Sequence, residues 1–229
     1  MGSHSSSLAA IIRGHLIGAE GVTKFSPNRR FATIYSEGGT ADAVFFLDSG
    51  LVKIHKRGDE GKEIIVQIIP PGELFGEQAL GTEQTRLVSA EVLQEGVIYV
   101  IPRDVFLLFC DAHQEMWRYL SVMLIARKRE LEKKIELLCL RDVEYRILYY
   151  LNELALAIGS KTETQEYSVP LSQGELASLI GATRETTSTT LNSLARRNLV
   201  RLGRRQLILS SLDSVRNAAS ERTSKAAKV

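Results

Sequence analysis

The sequence is poor in features that mark a special compartment or a membrane. It has only two cysteines, Cys110 and Cys139, and they lie too far apart for a metal-ligand or redox motif. Such sparse cysteine is typical of a reducing compartment, so we expect a cytoplasmic protein. The longest apolar runs, such as AVFFL at 43–47, are far shorter than the ~20 residues of a membrane-spanning helix. We therefore expect no membrane partner.

Signals of catalysis are also missing. The sequence contains no nucleophile–base grouping, no metal-ligand cluster and no Walker loop, so we expect neither an enzyme nor a metal protein. Its 229 residues, with 44% hydrophobic and 24% charged side chains, suffice for two small globular domains. The opening MGSHSSS resembles an expression-tag remnant, so residues 1–24 are treated as an N-terminal segment.

The segment 171–200 predicts a helix-turn-helix. Ser172 stands three residues before Glu175, which is the spacing of a capping box. The helix so begun ends at Gly181, because glycine accepts the positive φ of a tight turn. Thr183 is a plausible N-cap for a second helix, whose apolar residues recur at i, i+4 and i+7. A helix of this kind fits the major groove of DNA.

The polar face of the second helix indicates DNA reading. Arginine suits a bidentate contact to guanine, while glutamate accepts from the cytosine amino group. Between residues 184 and 205 six arginines accompany one acid, a local charge of +5 in a chain whose net charge is +2. LVRLGRRQLIL reads as two short strands that turn at Gly203 and form a basic wing. The alternative is an ordinary solvated helix face. The predicted DNA contacts are Ser172, Gln173, Thr183, Arg184, Glu185, Ser188, Thr189, Asn192, Arg204 and Arg205.

Residues 25–103 predict a small antiparallel jelly-roll barrel. Apolar and polar residues alternate on both sides of RGDEGK, a hairpin signal, and further short strand patterns follow. Residues 104–140, without proline or glycine, predict one long helix with a nearly heptad stripe. This stripe either packs on its own barrel or pairs with a second copy in a dimer. Its members are Leu120, Leu124, Leu131, Ile135 and Leu138.

Residues 141–215 are assigned to a winged helix-turn-helix domain. Asp142 is placed to cap its first helix after a hinge at LRDV. Residues 216–229 are small, polar and basic, and we expect them to be disordered. The predicted fold class is thus α+β.

This order of elements resembles the Crp-Fnr family, the cyclic-AMP receptor protein and its relatives, over about residues 25–215. PGELFGEQAL followed by Arg86 is similar to the phosphate-binding cassette of cyclic-nucleotide-binding domains, and LSQGELASLIGATRETTSTTLNSL to the family's DNA-reading signature. The resemblance implies a homodimer that binds palindromic double-stranded promoter DNA, touches RNA polymerase and responds allosterically to a small effector.

The cassette has a chemical logic of its own. A cyclic phosphate is a compact anion, which favours backbone amides in a tight turn and one fixed positive charge. The alternative is a barrel turn held by a salt bridge between Glu77 and Arg86. In that case the barrel is only a platform for dimerisation and partner contact. The candidate effector residues are Gly76, Glu77, Gln78, Ala79, Arg86, Arg127 and Leu131.

Departures from the family pattern bear on the ligand. Leu87 stands where a small or hydroxyl residue is usual, and Leu131 and Glu132 replace the hydroxyl pair that holds adenine. No cofactor is therefore certain: a cyclic nucleotide is possible, but cyclic AMP is disfavoured. Four cysteines are needed for the family's iron–sulfur type, and this chain has two. Thr189 replaces a second basic residue of the recognition helix, so a different DNA site is expected.

Overall fold

The structure, a computed structural model, describes residues 2–58, 61–82, 84–164 and 166–226. It divides into two compact units. The first comprises Met1–Arg57 and Val66–Glu130, and the second comprises Gly58–Ile65 and Leu131–Val229. The α+β fold class predicted from the sequence is confirmed: antiparallel sheet dominates the first unit and helices dominate the second.

The first unit is built on a six-stranded antiparallel sheet. Its order is β1-β6-β3-β4, with β2 also pairing with β6 and β5 with β3. Alternate residues of β3 enter two different cores, Val44 and Phe46 on the side of the helices and Phe45 and Leu47 on the other side. The strands are β1 Thr23–Phe25, β2 Thr33–Tyr35, β3 Ala43–Arg57, β4 Glu63–Ile69, β5 Glu73–Phe75 and β6 Ser89–Pro102.

Helices cover one face of this sheet. Helix α1, Gly2–His15, buries Ile12 and lies in the segment that the sequence assigned only as N-terminal. The single helix predicted for residues 104–140 is wrong, because α2, Arg103–Ala112, and α3, Glu115–Leu140, are separate. The break carries neither proline nor glycine. The His113 ring there packs on Phe109 at 4.5 Å between centroids.

Only part of the predicted leucine stripe faces solvent. Leu120 is buried against the helix-covered core of the first unit. Leu138 is half-buried and packs on Gly181 within the second unit. An exposed stripe nevertheless runs along α3, and it consists of Trp117, Leu124, Leu131 and Ile135.

The second unit is a winged helix-turn-helix. Asp142 caps α4 as predicted, since its side chain accepts from the backbone amide of Tyr145. The wing is larger than the predicted pair of strands, because a four-stranded sheet forms in the order β7-β8-β10-β9. The helices are α4 Val143–Ala157, α5 Gln173–Ile180, α6 Arg184–Arg196 and α7 Leu212–Ala226, and the strands are β7 Ser160–Lys161, β8 Tyr167–Val169, β9 Val200–Gly203 and β10 Gln206–Leu209.

Helix α7 overturns the predicted disorder of residues 216–226, while residues 227–229 lie outside the described part. The helix buries Val215 and Ala218. Arg222 then binds the carboxylates of Asp142 and Glu144 at the start of α4. A polar segment thus folds because long-range ion pairs and two small apolar contacts hold it.

Candidate DNA interface and effector pocket

The helix-turn-helix forms through the local signals read from the sequence. Ser172 and Glu175 make both bonds of the capping box at the start of α5. Gly181 takes φ 64°, ψ 42°, and a side chain there would meet Leu138 Cδ2 at 2.7 Å. Thr183 then caps α6 by accepting from the amide of Thr186 at 3.1 Å. These three devices fix where α6 begins, which is the end expected to enter the groove.

The predicted contact residues of α6 share one surface. Arg184, Glu185, Thr189 and Asn192 are exposed and Ser188 is half-buried. The buried side of the same helix consists of Thr187, Leu191 and Leu194. At the start of α5, Ser172 and Gln173 are half-buried, and Thr183 is exposed in the turn. The structure therefore assembles all of these positions in one module, with polar groups out and apolar groups in.

Two of the six arginines counted in the basic patch are paired with carboxylates in the structure. Arg197 is paired with Glu144 at 2.6 Å, and Arg201 with Glu166 at 2.6 Å. In the described ranges the other four arginines of the patch form no ion pair, and all four are exposed: Arg184, Arg196, Arg204 and Arg205. The charge available to DNA phosphates is therefore carried by one arginine at each end of α6 and two in the wing.

The tip of the wing is a two-residue turn. Gly203 pairs with Gln206, so Arg204 and Arg205 form the turn itself rather than a turn centred on Gly203. Arg205 takes φ 60°, a left-handed conformation that is uncommon for a residue with a side chain. Both guanidinium groups are thereby presented at the outermost point of the hairpin.

The predicted cassette lies in the first unit, at the end of β5. Gly76 takes φ 75°, and a side chain there would meet Phe45 at 2.8 Å. Only glycine therefore allows the turn into the short 3₁₀ helix Glu77–Leu80. Ala79 is buried, whereas the Gln78 side-chain carbonyl accepts from the Leu87 amide at 3.3 Å. One amide beside Arg86 is thus already bonded within the protein.

Arg86 is the largest fully buried side chain of the chain's described part. Nη1 donates to the Gly76 carbonyl at 2.8 Å, and Nη2 donates to the Ala43 carbonyl at 2.6 Å. Its guanidinium lies over the Tyr35 ring, 4.4 Å from the centroid, while Nε has no hydrogen-bond partner among the described residues. Burial lowers the pKa of Arg86 and raises that of Tyr35. No carboxylate of the described residues forms an ion pair with this buried cation.

Glu77 has a different partner from the one that the barrel-turn alternative predicted. Its carboxylate pairs with Arg127 of α3, with Oε2 and Nη1 2.5 Å apart. Arg127, which is 8% exposed, also donates to the Leu74 carbonyl. The structure thus brings Gly76, Glu77 and Arg127 together. Leu131 lies on the exposed stripe of α3, 44% exposed.

Sequence reasoning missed Tyr35. This residue ends β2 and lies more than fifty positions before Arg86, so no local motif links the two. Only the sheet pairing of Tyr35 with Ala90 and of Phe45 with Val100 brings the rings to the guanidinium. A tyrosine at the end of a strand is common, and no sequence signal shows that the ring of Tyr35 lies over Arg86.

Comparisons with known proteins agree with this geometry. A family model described as "Cyclic nucleotide-binding domain" matches residues 28–113, and one described as "Crp-like helix-turn-helix domain" matches residues 145–217. The CRP-like cAMP-activated global transcriptional regulator of Mycobacterium tuberculosis is 30% identical over 188 residues, which are 82% of this chain and 84% of that protein. The cyclic AMP receptor protein of Thermus thermophilus is 29% identical, over 74% and 76% of the two chains.

A solved structure supports the same assignment. The crystal structure of a CRP-family transcriptional regulator from Thermus thermophilus, TTHB099, has a TM-score of 0.75 and 25% identity. It is matched over 86% of this chain and 96% of its own.

The fold, the exposed basic helix and the matched domains define a DNA-binding transcription regulator, not an enzyme. The chain belongs to the Crp-Fnr family. Within the described ranges, no helix combines the length and the hydropathy needed to cross a bilayer.

Proposed function

We propose that this protein is a dimeric transcription regulator that binds palindromic promoter DNA and is switched by a small anionic effector. The DNA-binding part of this proposal rests on the surface of α6. Arg184 and its polar neighbours are exposed there, on the side opposite the buried apolar residues. Sequence-specific proteins place such a helix in the major groove, while unpaired arginines nearby bind phosphates. We further propose that it acts in the cytoplasm and touches RNA polymerase, as its family does.

The exposed stripe of α3 supports a homodimer. Trp117, Leu124 and Leu131 recur every seven residues and are 41%, 48% and 44% exposed. Large apolar side chains in a row on one helix are the pattern of a parallel helix pair. A two-fold dimer of this kind presents two copies of α6 to two half-sites, which explains why the DNA site would be palindromic.

The environment of Arg86 supports an anionic effector. A buried cation without a carboxylate partner is costly, and an oxyanion bound beside the Arg86 guanidinium would remove that cost. The relatives named above as cyclic-AMP-dependent make a cyclic nucleotide a reasonable candidate. Cyclic AMP itself is disfavoured, because Leu87 and Leu131 offer no hydroxyl where the family has them, and each unmet polar group costs about 1–3 kcal/mol.

A second candidate is a regulator whose barrel binds no effector and serves as a platform. Three hydrogen bonds favour it: the Leu87 amide already donates to Gln78, and Arg86 already donates to two backbone carbonyls. Some of the hydrogen-bond donors beside the cassette are thus already satisfied by groups of the protein itself.

A ligand titration separates the two candidates. The purified protein is titrated with cyclic AMP, cyclic GMP, cyclic di-GMP and inorganic phosphate while thermal stability is followed. A ligand present at a hundred times its Kd stabilises by about 2.7 kcal/mol if it binds only the folded state. We expect stabilisation by at least one anion, lost in Arg86→Ala, and a cyclic-AMP response that is weak. Micromolar binding of cyclic AMP would contradict the claim that Leu87 and Leu131 disfavour this ligand. No response to any anion would favour the second candidate, in which the barrel binds no effector.

A further inference from the structure

Arg86 and Tyr35 form a stacked pair inside the first unit. The guanidinium carbon lies 4.4 Å from the Tyr35 centroid, and 5.4 Å from that of Phe45. The Tyr35 and Phe45 rings are themselves 5.4 Å apart, and Phe45 stacks on Phe75 at 5.1 Å. The pair therefore rests on a rigid aromatic layer that belongs to three different strands.

The stacking leaves one edge of the guanidinium unused. Arginine carries five N–H donors in one plane, so a ring on its face does not consume any of them. Two bonds run from Nη1 and Nη2 to the carbonyls of Gly76 and Ala43. Nε is buried and has no partner among the described residues. The edge formed by Nε and the adjacent Nη is one of the edges through which a guanidinium binds an oxyanion in a bidentate fashion.

We propose that Tyr35 is a positioning residue of the effector site, which holds the Arg86 plane so that its Nε edge faces an oxyanion. This inference rests on the proposed effector function. The two carbonyls alone fix the Nη atoms but leave the plane free to tilt about the line between them. The Tyr35 ring, covering the face, removes that freedom. The role belongs to the ring, so phenylalanine performs it and leucine does not.

The ligand class follows from the same geometry. A planar oxyanion edge, as in a phosphate ester or a cyclic phosphodiester, matches two parallel N–H donors. Glu77 does not compete for this edge, because its carboxylate is bound by Arg127. The shared chemistry is therefore a phosphate oxygen pair on Arg86, whether it comes from a nucleotide or from free phosphate.

The test compares wild type, Tyr35→Phe and Tyr35→Leu by two readouts. The first is the Arg86 Nε–H signal in ¹H–¹⁵N spectra of the full chain without ligand, assigned by its loss in Arg86→Lys. We expect a slowly exchanging signal in wild type and Tyr35→Phe, and faster exchange by at least tenfold in Tyr35→Leu. Fast exchange in wild type, or equal exchange in all three proteins, overturns the positioning role even if Tyr35→Leu folds poorly.

The second readout is calorimetry with cyclic GMP, cyclic AMP and inorganic phosphate. We expect Tyr35→Phe to bind within about threefold of wild type and Tyr35→Leu to lose at least tenfold. Binding to wild type by nucleotides but not by phosphate assigns the site to a nucleotide. If Tyr35→Phe loses as much as Tyr35→Leu, the hydroxyl contacts the ligand and the ring role is wrong. If no probe binds wild type, the effector function fails, while the exchange data still judge Tyr35 separately.

Discussion

The carboxylate of Glu77 and the guanidinium of Arg127 form an ion pair, with Oε2 and Nη1 2.5 Å apart. This contact joins the cassette to α3 within the first unit. Arg127 is 8% exposed, and its buried guanidinium is bound by the Glu77 carboxylate and by the Leu74 carbonyl. The cassette is therefore attached directly to the helix that carries the exposed apolar stripe.

The ion pair predicts the effect of neutralising Glu77. Glu77→Gln leaves a nearly buried cation without its counter-charge, and we expect the free energy of unfolding to fall by about 1–3 kcal/mol. Urea unfolding at neutral pH measures this. Glu185→Gln, at an exposed position of α6, is the matched control and should change stability by less than about 0.5 kcal/mol. Equal effects of the two substitutions would show that the pair does not stabilise the unit.

Assembly through α3 predicts a contrast between two neighbouring positions. Leu124 and Val122 are 48% and 50% exposed, but they lie about 200° apart around the helix. Leu124→Glu should yield monomers, because the two copies would place like charges together at the interface, whereas Val122→Glu should remain dimeric. Analytical ultracentrifugation distinguishes these states. An intact Leu124→Glu dimer would move the interface off this stripe. Leu138 is a poor probe, because it packs on Gly181 inside the second unit.

The pKa of Lys134 predicts a pH-dependent stability. Its ammonium is buried, donates to the carbonyls of Ile65 and Leu179 at 2.6 and 2.7 Å, and has a pKa lowered by burial from 10.5 to about 8. Between these values the unfolded chain binds the extra proton, so this residue makes the free energy of unfolding rise with pH. The free energy of unfolding of Lys134→Met minus that of wild type should therefore fall from pH 8 to pH 10, by about 2 kcal/mol.

Urea unfolding of both proteins at pH 8, 9 and 10 measures that difference. Other groups, such as the Cys110 thiol whose pKa burial raises to about 11, titrate alike in both proteins and cancel. A difference in stability that does not change with pH would mean that Lys134 keeps an ordinary pKa.

The sequence predicted those parts of the fold that depend on local chemistry. The capping box at Ser172, the glycine turn at Gly181 and the Asp142 cap each need only residues within four positions of one another. The break between α2 and α3 and the helix α7 were missed, since the packing of the His113 ring on His15 and the ion pairs of Arg222 are long-range contacts.

The candidate site divides in the same way. The motif placed Gly76 and Glu77 in one turn and Arg86 ten residues after it, because a phosphate cassette is nearly contiguous in sequence. The contacts of each side chain, by contrast, depend on residues that are distant in sequence. Tyr35 and Ala43 reach Arg86 only through strand pairing, and Arg127 reaches Glu77 only through packing of α3. Likewise, the count of arginines in the basic patch could not reveal that Glu144 and Glu166 neutralise two of them.

The most direct test of the account is a competition assay with a DNA site selected by the wild-type protein from a random pool. The ratio of specific to non-specific affinity is measured for wild type, Arg184→Ala and Arg204→Ala over a range of salt. We predict that Arg184→Ala loses discrimination, by about 1–3 kcal/mol per half-site, and keeps weak, salt-sensitive binding. Arg204→Ala should weaken binding to all sequences alike and lower the salt slope by about one per protomer. Wild-type discrimination in Arg184→Ala would contradict the claim that α6 reads DNA.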